Sequence, residues 1–204
     1  MAKAQSKVDL NRKIVIEASV RCIARGGVAR ATMSAIADEA GMSRMTLYRL
    51  FDDRDAILKA ILVARFTGMF DDVRLKLATF STLEEALVEG GLYAIGLVEQ
   101  DALSHALIAE ATNHLFGRFL INYDSAISGL YYDAWRPAFE KARQSGELTG
   151  RLSDDRLIEG ARSIMNVALL QSNLDEDARR SFLRDFLVPA ILGRRRHDAG
   201  EVYP

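Results

Sequence analysis

A chain of 204 residues, 49% of them hydrophobic and with a formal net charge of −1, can bury a core and divide into a small and a larger domain. One cysteine, Cys22, excludes a disulfide framework and a zinc site built on paired thiolates. No run approaches the roughly 18 apolar residues of a membrane span and the N-terminus lacks an apolar signal segment, so a cytoplasmic protein with no membrane partner is expected. The charge is segregated, with 12 Lys and Arg against 7 Asp and Glu in residues 1–65 and 15 against 21 in the remainder. A basic first third on an acidic body points to a polyanion partner at one end only.

Apolar residues recur at spacings of three and four, and only three prolines occur, which predicts an all-α chain of about nine helices. The first helix is expected from Asp9 to Arg25, burying Val15, Ala18, Cys22 and Ile23 and stopping at Gly26-Gly27. A second starts at Thr32, whose hydroxyl can cap it, and ends at Gly41; a third runs from Ser43 to Phe51. Asp53 then caps a long fourth helix to about Ala78. Further helices are expected over 82–99, opened by a capping box at Ser81-Thr82-Leu83-Glu84, and over 102–115 and 118–144, the last bent or interrupted at Pro137. The final two run from Ser153 or Asp154 to Ser172 and from Asp175 to Arg196, with a kink at Pro189.

Residues 32–51 have the make-up of a helix-turn-helix. Ile36, Ala37 and Ala40 suit a close helix crossing, Gly41 the turn, and Met42, Leu47, Leu50 and Phe51 an inward face. That leaves Arg44, Met45, Thr46, Tyr48 and Arg49 for DNA, although a short helix pair turning at Gly also serves as plain core. From residue 10 to residue 62 the chain resembles the tetracycline-repressor (TetR) family, in the small pair Ala18-Ser19, Gly27, Ala40-Gly41-Met42-Ser43, Thr46-Leu47-Tyr48 and Phe51-Asp52-Asp53-Arg54-Asp55-Ala56-Ile57. It departs from the family pattern at Met45, which replaces a Gly, at Asp53, which replaces a Ser, and at Arg54, which replaces a Lys. The resemblance implies a DNA-binding domain over 8–62 and a ligand-binding and dimerisation domain over 63–196. It implies phosphate contacts for Thr32, Tyr48 and Arg54, while Arg44, Met45, Thr46 and Arg49 are placed to approach base edges.

The same resemblance implies a regulator that binds double-stranded operator DNA as a homodimer and senses a small molecule. Leu157, Ala161, Ile164 and Ala168 in the eighth helix and Phe182, Phe186 and Ala190 in the ninth are the expected dimer surface, intrachain core being the other reading. Expected pocket residues are Tyr93, His105, Asn113, His114, Phe116, Phe119, Tyr123, Tyr131, Trp135 and Met165, which suit a hydrophobic or aromatic effector. No cofactor, metal or catalytic residue is expected, because Glu110 and His114 share a helix face but His105 lies half a turn out of phase. A helical adaptor using the N-terminal helices for protein contacts is the alternative, and the basic bias of residues 1–65 argues against it.

Overall fold

The computed structural model describes residues 2–113, 125–150, 152–171 and 173–193, and among these all regular structure is helical. The chain packs as two compact units, residues 1–66 with 99–124, and residues 67–98 with 125–204. The second unit therefore does not simply begin after residue 62, because the segment beyond Glu99 returns to the N-terminal helices.

In the N-terminal unit, α1 (Ala2–Gly26) starts earlier than expected, since nothing between Ala2 and Asp9 breaks a helix. Its inward face is Val15, Ala18, Cys22 and Ile23, all buried as the spacing predicts. A 3-10 turn (Val28–Arg30) leads to α2 (Met33–Glu39), capped by the Thr32 hydroxyl, which accepts from the Ala35 amide at 3.2 Å. Gly41, at φ 63°, takes the left-handed conformation that lets the chain turn at once into α3 (Arg44–Leu50). The Ser43 hydroxyl caps α3 by accepting from the Thr46 amide at 3.1 Å. Helix α4 (Arg54–Leu77) follows, its start capped by Asp53, which accepts from the Ala56 amide at 2.7 Å.

In the C-terminal unit, α5 (Leu83–Glu85) passes through a π-helical stretch (Ala86–Gly90) into α6 (Gly91–Gln100). Its capping box is one residue later than the sequence pattern suggests. The Thr82 hydroxyl accepts from the Glu85 amide at 3.1 Å, and Glu85 returns to the Thr82 amide at 3.4 Å. Helix α7 (Ala102–Asn113) belongs to the N-terminal unit; α8 (Ser125–Gln144), α9 (Asp154–Leu170) and α10 (Glu176–Phe182) belong to the C-terminal one. Pro137 does not interrupt α8, because both it and Asp133, whose carbonyl loses its partner, face solvent. A second π-helical stretch (Leu183–Leu187) carries α10 into α11 (Val188–Leu192) immediately before Pro189, and the chain then leaves the helix at Gly193, φ 78°. The core of this unit joins Leu77, Leu87, Trp135, Phe139, Ile158 and Leu183.

Candidate nucleic-acid interface

The N-terminal unit places the turn residues where the sequence pattern puts them. Ile36, Ala37 and Leu47 are completely buried and Phe51 nearly so, which fixes the crossing of α2 and α3. The outward face of α3 then carries Met45, 66% exposed, and Tyr48, 51% exposed, beside exposed Arg44 and Arg49. Thr46 is half-buried, and its hydroxyl lies 2.9 Å from that of Ser43.

Several contacts outside the expected set hold this face in place. Arg44 donates to the Ser34 hydroxyl at 2.5 Å, tying the start of α3 to α2. Arg12, on α1, donates to the Leu50 carbonyl at 2.5 Å and stacks over the Phe51 ring at 4.2 Å, closing the C-terminal end of α3. Glu39 receives hydrogen bonds from Arg21, at 2.7 Å, and from Arg25, which lower its carboxyl below the usual range. Nothing in the sequence pattern singles out Arg12, because its partner Leu50 lies 38 residues away and no local signal announces it.

Arg54 is engaged inward. Its guanidinium donates to the Ala31 carbonyl at 3.1 Å and to the Val28 carbonyl at 2.6 Å, and lies 3.7 Å from the Glu110 carboxylate on α7. It thus holds the connector that ends at the Thr32 cap. Helix α7 is itself started by Asp101, which accepts from the Ser104 amide at 2.8 Å and pairs with Arg65. Burial alone would raise the Asp101 carboxyl, but the bonds from Arg65 and Ser104 outweigh it and lower the value.

The expected effector residues separate into three groups. Tyr131, Trp135 and Met165 share the C-terminal core. The Tyr131 hydroxyl points at the Met165 sulfur at 3.9 Å, and its ring centroid is 4.7 Å from that of Phe70. Burial pushes the Tyr131 phenol up to about 12, against the Arg162 charge, so it stays neutral at physiological pH. The Trp135 indole N–H is buried with no hydrogen-bond partner among the described residues. Tyr93 and His105 are exposed, and His105 sits in the other unit, so neither is brought to that cluster. Asn113 ends α7, and His114, Phe116, Phe119 and Tyr123 lie outside the described residues.

Of the expected dimer residues, Leu157, Ala161 and Ala168 lie in the chain's own core. The opposite edge of α9 is the open one, with Ile164 half-buried, Val167 47% exposed and Leu170 39% exposed. On the last helices Phe186 is 59% exposed, stacked at 5.0 Å on half-buried Phe182, and Ala190 is exposed one turn on. Among the described residues there is no group of His, Cys, Asp and Glu that could hold a metal ion, and no helix long and apolar enough to cross a membrane.

Residues 15–61, from α1 into α4, match the family model for bacterial regulatory proteins of the tetR family. Over these residues the chain is similar to tetR-family regulatory proteins. The all-α fold agrees with solved structures of such regulators. The transcriptional repressor QsdR of R. erythropolis superposes with a TM-score of 0.66 at 20% identity, covering 93% of this chain and 98% of that one. The repressor AlkX of a Dietzia species gives 0.60 at 21% identity, covering 88% and 92%. FadR of Bacillus subtilis, solved in complex with stearoyl-CoA, gives 0.58 at 18% identity, covering 90% and 99%. Among curated proteins none matches the sequence.

Proposed function

We propose that this protein is a cytoplasmic, ligand-responsive repressor of the TetR family that binds a palindromic operator as a homodimer and is released by a hydrophobic or aromatic effector. The observation that carries the reading is the open face of α3, where Met45 and Tyr48 stand exposed between Arg44 and Arg49. Arg44 and Arg49 approach base edges there, and Met45 replaces a base-edge hydrogen bond with an apolar contact suited to a thymine methyl. Thr32 and Tyr48 serve the backbone, while Arg54 serves it through the connector it holds. The apolar strips Val167-Leu170 and Phe182-Phe186-Ala190 support pairing with a second copy, since a two-fold operator needs a symmetric reader.

The effector is proposed to enter around Tyr131, Trp135 and Met165, where an unpartnered indole N–H would take an acceptor on an otherwise apolar ligand. FadR with stearoyl-CoA is a protein of this fold that accepts a long acyl ligand. Footprinting on DNA flanking the protein's own gene tests the proposal. The expected result is a protected inverted repeat that is lost on adding stearoyl-CoA or an aromatic compound. Protection of no specific sequence would overturn it.

A further inference from the structure

A pocket of about 250 Å³ opens within the C-terminal unit, where α4 ends, α5 begins and the second half of α8 passes. It shares no lining residue with Tyr131, Trp135 or Met165. Its floor is apolar, formed by Leu77, Leu83, Ala86 and Ala134, all buried. Leu77 reaches this place because Gly90 has no side chain, for a Cβ there would stand 2.4 Å from the Leu77 Cδ2.

The polar lining is biased toward donors. The Lys141 ammonium spends one N–H on the Phe80 carbonyl at 2.9 Å and keeps two. Arg74 is paired with Asp71 at 3.0 Å, but both side chains are more than half exposed and water screens the pair. Ser81 and Thr82 add hydroxyls, while the Ser145 hydroxyl donates to the Ala142 carbonyl at 3.1 Å. The single carboxylate of the lining, Glu147, has both oxygens on the Leu83 amide, at 2.9 and 2.8 Å, and one on the Glu84 amide at 3.2 Å. Its charge is thus partly offset by the backbone N–H groups of Leu83 and Glu84.

We infer that this pocket binds a small amphipathic carboxylate, its hydrocarbon part on the alanine and leucine floor and its carboxylate at Lys141 and Arg74. The volume lies below that of sites for drug-sized molecules and suits a chain of roughly six to eight carbons. The site is separate from the effector cluster proposed above and does not depend on it.

Hexanoate titrated into the full-length protein carrying 13C-labelled alanine methyls tests the inference. The Ala86, Ala134 and Ala138 methyl signals should shift saturably, and 1-hexanol, which lacks the anion, should bind about tenfold more weakly, as loss of a charge-assisted hydrogen bond implies. Lys141→Gln, at an exposed position where an amide can still reach the Phe80 carbonyl, should cost about the same factor. Ala138→Trp should fill the pocket and abolish the shifts while the far-ultraviolet dichroism stays unchanged. Methyl signals that do not move with hexanoate, equal binding of 1-hexanol, or unaltered binding by Lys141→Gln would overturn the assignment, whatever happens at Tyr131 and Trp135.

Discussion

Among single residues, the proposed reading face of α3 is held in place by side chains outside it. Arg12 ends the helix by satisfying the Leu50 carbonyl and covering Phe51. Arg12→Ala removes one cation–π contact and one helix-end interaction, each worth about 0.5–1 kcal/mol at an exposed site. Thermal denaturation should show a midpoint lowered by a few degrees, and operator affinity should drop further than stability alone explains; an unchanged affinity would remove Arg12 from the interface. Met45 differs, since two thirds of its surface is open to solvent. Met45→Ala should leave stability unchanged and relax the preference for a thymine, read by selection from a random DNA pool. The outward residues of α3 can be read from the sequence because burial of Leu47 and Phe51 fixes helix phase. Arg12 cannot, because its role comes from tertiary approach alone.

For the helices and their connections, capping decides what the sequence reveals. Thr32, Ser43 and Asp53 each cap the helix predicted from them, since a cap is a contact within three residues. The π-helical stretches over Ala86–Gly90 and Leu183–Leu187 leave no trace in the pattern, because an apolar run reads alike with four or five residues between bonded groups. The inward turn of Arg54 is also hidden, since it depends on carbonyls more than 20 residues away. Helix α7 offers a direct test. Asp101 caps it and pairs with Arg65, and its folded-state carboxyl lies below the ordinary value. Its stabilisation is therefore present above the unfolded carboxyl's pKa of about 4 and fades as pH falls through the lower folded value. Asp101→Ala should cost about 1 kcal/mol near neutral pH, and the difference from wild type in urea melts should shrink in acid. A difference that grew on acidification would contradict the assigned contacts.

Across the chain as a whole, two units carry two proposed tasks, and the sequence shows their existence more plainly than their membership. The charge split between the first 65 residues and the rest is a matter of composition. That residues beyond Glu99 rejoin the N-terminal unit follows from packing of Leu107 and the Arg65 and Arg54 pairs, which periodicity cannot encode. Helix phase in α9 shows the same limit. The spacing identifies an apolar helix, but only the packed core determines that Ala161 and Ala168 face inward while Val167 and Leu170 face out. If those open strips join two copies, Val167→Glu combined with Phe186→Glu buries unpaired charge and yields monomers by light scattering, whereas a persisting dimer would place the interface elsewhere.

The proposed regulation rests first on the outward face of α3 binding operator DNA, which fluorescence anisotropy of labelled upstream DNA can follow across a salt series. Binding through several phosphates should weaken by orders of magnitude between about 50 and 200 mM salt, and an Arg44→Ala and Arg49→Ala double variant should lose affinity for the operator and discriminate less between sequences. An affinity that ignores salt, or a double variant that binds as the wild type does, would show that α3 is not the DNA-reading helix.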